Sequence, residues 1–308
     1  MKQTALIFAG QGAQYVGMGK DLAESSKDAA ELFDQADKLL GNNFKAICYE
    51  GPNETLTQTS YCQPALYVHG LALWTLLKKR NPELKPVAYA GLSLGEFTAH
   101  AAAEHFSFES GLKLVHERGR LMQEACEASD GGMLALIGAS PEQAQELADA
   151  TDLQVANYNS PGQIVLSGKK ARIPEAAKKG KEMGIRRAME LNVAGAYHST
   201  LMHSAQEGLK SFLDACELTD NDFPVYSNVN ALPAKQATDI RTTLLKQVTG
   251  SVRWQSCLEN MVQDGVEQFI ELGPNKILAG MCKKTVPDVP CISIGTAEDL
   301  EALYDEIN

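Results

Sequence analysis

Residues 87–103, Val87-Ala88-Tyr89-Ala90-Gly91-Leu92-Ser93-Leu94-Gly95-Glu96-Phe97-Thr98-Ala99-His100-Ala101-Ala102-Ala103, decide the fold. The apolar run before Gly91 reads as a buried strand and the run after Gly95 as a helix, with the G-x-S-x-G pentapeptide as the turn between them. A serine on such a turn exposes its hydroxyl, and the flanking glycines leave room for a backbone approach that a Cβ would block. The following helix aims free N–H groups at the same point, where they stabilise negative charge. Ser93 is the candidate nucleophile, against the alternative of a plain glycine-rich turn.

Outward from this elbow, residues 4–9 read as a second buried strand leading into Gly10-Gln11-Gly12-Ala13-Gln14. Tyr15 occupies the third glycine position of a dinucleotide-binding turn, which removes that reading. Helical patterns over 28–40, 64–79 and 108–126 alternate with these strands, the signature of an α/β domain around a largely parallel sheet. After Gly131-Gly132 the pattern changes to a strand over 133–138, a helix over 141–150, strands over 153–157 and 163–167, a helix over 173–183 and a strand over 186–193. That βαββαβ order is the split unit of a ferredoxin-like module. We therefore expect a subdomain at 127–195 inserted into a large domain of residues 1–126 and 196–308. The large domain resumes with a helix over 199–216, a strand over 224–228, helix from 238 to 263 and a strand over 268–272.

A chain of 308 residues buries a substantial core without covalent staples. Seven scattered cysteines with no C-x-x-C spacing suggest neither a disulfide framework nor a metal site, and fit a reducing cytoplasm. The N-terminal stretch does not read as a cleavable signal, and no 18-residue apolar run predicts a membrane span. A net charge of −11 argues against nucleic acid as a partner. Residues 169–190 run the other way, with eight basic residues against three acidic ones. This is either a solvated helix face or a patch that steers an acidic or phosphate-bearing partner.

A serine nucleophile needs a base, and there are six histidines. His69 lies in an apolar helix and reads as packed; His116 and His203 fall on polar faces and read as solvated. His100 and His105 flank the end of the elbow helix, where the dipole favours a histidine and no catalytic explanation is needed. His198 stands where the inserted subdomain returns to the large one, a common place for a pocket, and is the candidate base against the alternative of a loop histidine. Arg118 shares a helical face with Leu114, Leu121 and Ala125. An arginine in an apolar stripe wants an anion, either a structural carboxylate or one on a substrate. Gly119 beside it disfavours helix and hints at a close approach. The N–H of Leu94 is the first oxyanion donor, and the loop Gly10-Gln11-Gly12 is placed to supply a second.

The motifs Phe8-Ala9-Gly10-Gln11-Gly12-Ala13-Gln14, Gln63-Pro64-Ala65-Leu66, Gly91-Leu92-Ser93-Leu94-Gly95-Glu96, Arg118-Gly119, Asn159-Ser160-Pro161-Gly162-Gln163, Ala196-Tyr197-His198-Ser199, Gln247 and Glu271-Leu272-Gly273-Pro274 resemble, in this order and over nearly the whole chain, the malonyl-CoA:acyl carrier protein transacylases. The resemblance implies a hydrolase-like α/β fold with a ferredoxin-like insertion. It implies Ser93 as nucleophile, His198 as base and acid, Gln11 and Leu94 as oxyanion donors, Arg118 for the malonyl carboxylate, and the main-chain carbonyl near Gln247 to orient the histidine. Tyr197, Leu92, Gln63 and Asn159 would shape the pocket. Leu92 departs from the pattern, since many members carry histidine there, and Tyr197 resembles the aromatic residue of malonyl-selective members. No cofactor is implied; the expected partners are malonyl-CoA and holo acyl carrier protein, the latter docking on Lys178, Lys179 and Lys181, with the enzyme a monomer. The rival readings are a serine thioesterase or hydrolase, a carrier-binding module without activity, and a polyketide-type acyltransferase.

Overall fold

The strand Thr4–Phe8 is buried along its whole length, as a strand covered on both faces must be. The computed structural model describes residues 2–41 and 43–307; residues 1 and 308, the expected outer bounds of the large domain, lie outside them. The described strands are β1 (Thr4–Phe8), β2 (Ala88–Gly91), β3 (Gly131–Ile137), β4 (Leu153–Ser160), β5 (Gln163–Lys169), β6 (Arg187–Glu190), β7 (Val225–Tyr226), β8 (Pro233–Ala234), β9 (Gln268–Leu272) and β10 (Cys291–Ile294). They form a six-stranded sheet in the order β10-β9-β1-β2-β7-β8 and a four-stranded sheet in the order β4-β5-β3-β6. The large sheet is parallel apart from β8.

Alternation along β1 divides the core between two faces. Leu6 and Phe8 pack in a cluster with the helices Thr59–Arg80, Leu94–Ala102 and Phe108–Ala128, whereas Ala5 and Ile7 pack with Trp254, Phe269 and Leu278 on the other side. The small sheet is antiparallel throughout and has the βαββαβ order of a ferredoxin-like module. Its face bearing Leu134 and Leu136 is covered by helices Pro141–Ala150 and Ile173–Glu182 through Leu147, Ile173 and Ala176. Met133 and Val165 point the other way, into the large core. The small sheet thus roofs the C-terminal ends of β1 and β2, where open parallel sheets bind ligands.

Several sequence expectations need correction. Helix from 238 to 263 is two helices, Ala237–Gln247 and Trp254–Gln263, because the intervening chain leaves the helix to pair with β4: Val252 N donates to Ala156 O, and Tyr158 N to Val252 O, both at 2.8 Å. The expected strand over 224–228 is only Val225–Tyr226, since Asn228 turns to serve the elbow. β10 was not anticipated; four residues are too few for a periodic signal. Among the described residues no helix is long and apolar enough to cross a membrane.

Burial, not the helix dipole, governs His100 and His105, and neither lines the site cavity. Both side chains are fully buried, with their Nδ1 atoms 3.1 Å apart, a contact that requires at least the accepting ring to be neutral. Burial holds the His100 pKa well below its ordinary value and that of His105 at about 4. His116, expected to be solvated, is half-buried, and its Nδ1 has no partner among the described residues.

The unfolded chain binds more protons at these two histidines than the folded one below the free imidazole pKa. Their contribution to stability is therefore present above about pH 6.5 and lost as pH falls toward about 4. His100→Gln, which leaves His105 a hydrogen-bonding partner, should make stability less dependent on pH across that window. Urea unfolding at stepped pH checks it; an unchanged slope refutes the assignment.

Candidate active site

Ser93 sits between β2 and the helix Leu94–Ala102 with φ 54° and ψ −103°. A side chain held in that region costs about 1–3 kcal/mol, so the surroundings must enforce it. They do so sterically and by hydrogen bonds. A Cβ on Gly91 would lie 1.9 Å from the carbonyl carbon of Gly95, so the turn closes only with glycine there. Asn228 clamps both sides of the elbow: its Oδ1 accepts from Ser93 N at 2.6 Å and its Nδ2 donates to Gly91 O at 2.8 Å.

Ser93 Oγ lies 2.8 Å from His198 Nε2, and His198 Nδ1 lies 2.8 Å from the main-chain carbonyl of Gln247. A carbonyl can only accept, so Nδ1 carries the proton and Nε2 turns its lone pair to the serine. The break after Gln247 makes this possible, because carbonyls at a helix end lack intrahelical partners. Burial first, and the cation of Arg118 second, push the His198 pKa down to about 4, which keeps the imidazole neutral at pH 7. A hydroxyl against a neutral imidazole that is fixed from behind is an arrangement for proton transfer off the hydroxyl.

Arg118, 1% exposed, comes from the helix Phe108–Ala128. It donates to Gln63 Oε1 at 2.7 Å, Gln247 Oε1 at 2.8 Å and Ser93 Oγ at 3.1 Å, and its guanidinium lies 5.2 Å from the Phe97 ring centroid. All three acceptors are neutral, so the alternative of a direct structural ion pair is not what is found. Burial lowers its pKa to about 10, against the opposing influence of Glu96, and it remains a cation beside the serine. The close approach hinted at by Gly119 is real: a Cβ there would lie 2.7 Å from Thr59 O.

These groups open onto a cavity of about 700 Å³. Gln11, Leu94, Leu92, Gln63, Asn159 and Tyr197 all line it. The main-chain N–H groups of Gln11 and Leu94 have no partner among the described residues, and the loop holding Gln11 is pressed so close to the elbow that a Cβ on Gly10 would lie 2.3 Å from Leu92 O. Asn159 is 7% exposed and its Oδ1 has no partner among the described residues. The Tyr197 hydroxyl is tied to Thr59 Oγ1 at 2.6 Å, which holds the ring against the cavity wall. Lys178, Lys179 and Lys181 are not in the cavity; they lie on the outer helix Ile173–Glu182, with Lys178 3.9 Å from Glu182.

Sequence reasoning missed Asn228, the Gln247 side chain and Glu96. Asn228 stands at the end of the expected strand over 224–228 and carries no signal of its own. Glu96 is a carboxyl group with 0% exposure in a mostly apolar helix, its pKa pushed up to about 7 by burial against the pull of its hydrogen bonds and of Arg118.

The family model for the acyl transferase domain matches residues 5–301. The malonyl CoA-acyl carrier protein transacylase of Bacillus subtilis (strain 168) is 39% identical over 306 residues, 98% of this chain and 96% of that protein. The protein of the same name from Staphylococcus aureus (strain MW2) is 39% identical over 306 residues, 98% of each. Among solved structures, the acyl-carrier-protein-S-malonyltransferase from Bartonella henselae superposes with a TM-score of 0.94 at 34% identity, covering 99% of both chains. A malonyl-transacylase in complex with a type II PKS acyl-carrier protein superposes with a TM-score of 0.93 at 33% identity, again covering 99% of both. With matches over nearly the full length of both sequence and structure, this chain belongs to the acyl transferase family, among the malonyl CoA-acyl carrier protein transacylases.

Proposed function

We propose that this protein transfers a malonyl group from malonyl-CoA to the phosphopantetheine thiol of an acyl carrier protein, through a malonyl ester on Ser93, and so supplies fatty acid elongation. The observation that carries the reading is a buried guanidinium, hydrogen-bonded to neutral acceptors, 3.1 Å from the hydroxyl that faces a neutral imidazole. A hydrolase needs the hydroxyl and the imidazole; the adjacent cation adds a preference for an acyl group that ends in a carboxylate.

In the first half-reaction Ser93 Oγ attacks the thioester carbon as its proton passes to His198 Nε2. The oxyanion is held by the N–H groups of Leu94 and Gln11, each worth about 3–4 kcal/mol in such a role. Collapse expels the CoA thiolate, which takes the proton from His198. In the second half-reaction His198 accepts the proton of the carrier thiol, the sulfur attacks the ester carbon, and Ser93 leaves as the protonated hydroxyl. The low pKa of His198 suits it to both halves, because it starts each one neutral. Tyr197 would disfavour α-branched acyl groups by its bulk. We place the reaction in the cytoplasm, in keeping with seven free cysteines, and expect a monomer. The carrier would approach the basic stretch, whose Lys170 end reaches Asn192 and Val193 on the cavity rim.

Three outcomes follow. Intact mass after brief exposure to malonyl-CoA should show a malonyl adduct on the wild type, none on Ser93→Ala, and loss of the adduct when holo carrier protein is added; free malonate in place of an adduct would mean a hydrolase. Arg118→Ala should lower malonyl transfer by about tenfold or more while sparing acetyl transfer, as expected for a lost charge-assisted pair; an unchanged ratio of the two would return Arg118 to a structural role. Reversing the charges of Lys178, Lys179 and Lys181 should raise KM for the carrier with little effect on malonyl-CoA hydrolysis, and equal losses for both would remove these lysines from docking.

A further inference from the structure

Glu96 stands three residues after Ser93, which precedes the first residue of its helix. Ser-x-x-Glu in this position is ordinarily a capping box, in which the glutamate folds back onto its own helix end. Here no side-chain cap bond forms, and the carboxylate turns inward between Asn228 and Gln247. Its Oε2 accepts the main-chain N–H of Asn228 at 3.0 Å and Nε2 of Gln247 at 2.6 Å. A fully buried carboxyl group keeps its charge in a protein interior only with donors and a nearby positive charge, and with its pKa pushed up to about 7 Glu96 carries that charge fully only above neutral pH. The charge is Arg118, on the far side of Gln247.

The orientation of the Gln247 carboxamide follows from its neighbours. Ser93 O and Glu96 Oε2 can only accept and so require the Nε2 side; the Arg118 guanidinium can only donate and so requires Oε1. The amide therefore lies as a polar relay between carboxylate and guanidinium. A direct Glu–Arg pair would occupy the cation with a resident carboxylate. With the amide interposed, Arg118 keeps a countercharge at one remove, and its Nε has no partner among the described residues.

We propose that Glu96 is a positioning residue for acyl selection: its charge, carried through the Gln247 carboxamide, holds the Arg118 guanidinium beside Ser93 as a cation open to an incoming carboxylate. This rests on the malonyl-transfer reading above. A glutamate that merely capped or filled space would affect every acyl group alike, whereas one that acts through Arg118 affects only those that end in a carboxylate.

The test is Glu96→Gln, compared for malonyl-CoA and acetyl-CoA in the wild-type and Arg118→Ala backgrounds at about pH 8.5, where the wild-type glutamate is ionised. With its amide oxygen at the Oε2 position, the variant keeps both hydrogen bonds and removes the charge, and its NH2 takes the Oε1 position, where the carboxylate oxygen has no partner among the described residues. We expect kcat/KM to fall about tenfold for malonyl-CoA and by less than about twofold for acetyl-CoA, the difference between charge-assisted and neutral hydrogen bonding. In the Arg118→Ala background the substitution should have no further effect on malonyl transfer, the non-additivity of groups that act as one unit. Glu96→Asp, which keeps the charge but draws it back by one methylene, should lower the malonyl to acetyl ratio by a smaller factor, and thermal unfolding establishes that each variant is folded. Equal losses for malonyl and acetyl groups, or a Glu96→Gln penalty undiminished in the Arg118→Ala background, overturn the proposal. A wild-type protein that forms no malonyl adduct on Ser93 overturns the malonyl-transfer reading instead.

Discussion

The site depends on one hydrogen bond, from His198 Nδ1 to the main-chain carbonyl of Gln247. It sets the tautomer, and with the tautomer it sets which nitrogen faces Ser93. A carbonyl can do this only if its own helix does not use it, so the helix must stop at Gln247. It stops because the next residues are drawn away to pair with β4 of the small sheet. The large sheet holds the serine, while the small sheet, by ending that helix, frees the acceptor that orients the histidine. Chemistry at Ser93 is in this way tied to the packing of one module on the other.

Desolvation is the second constraint, and its effects differ with the sign of the group. Burial makes His198 a weaker base than a free imidazole, holds Arg118 below its ordinary pKa, and pushes Glu96 up. Each shift would be a liability alone. Together they leave a neutral imidazole, a cation and a shared carboxylate linked through one carboxamide, with few charges to be rearranged when an anionic acyl group enters. Low dielectric strengthens each bond in such a network and raises the cost of breaking one. Gln247 supplies the connection, using both ends of its side chain and its main-chain carbonyl.

The legible parts of the sequence were those that local physics enforces. A strand buried on both faces reads as an unbroken apolar run, a turn tighter than a Cβ allows reads as glycine, and the βαββαβ order of residues 131–190 reads as alternating periods. Gly91, Ser93 and the start of the elbow helix could be placed because all their determinants lie within a few residues of one another. The long helix over 238–263 was misread because its break is imposed from outside: nothing within 248–253 forbids helix as firmly as pairing with β4 favours an extended chain. The burial of His100 and His105 was not legible for the same reason, since a helix-end position says nothing about what packs over it.

What the sequence by itself determined was the set of chemical groups and the elements that carry them: a serine on an elbow, a histidine at a junction, an arginine in an apolar stripe, and a parallel sheet with an antiparallel module. Only the tertiary structure decided how those groups meet. Arg118 was an arginine in want of an anion until the fold ringed it with neutral acceptors and set it against Ser93. Glu96 was one residue of the elbow motif until the fold buried it, and Asn228 the end of an expected strand until it clamped the elbow. The physical reason is range: propensity, periodicity and turn sterics act between residues near in sequence, whereas desolvation and hydrogen-bond partnering act between residues brought together from more than a hundred positions apart.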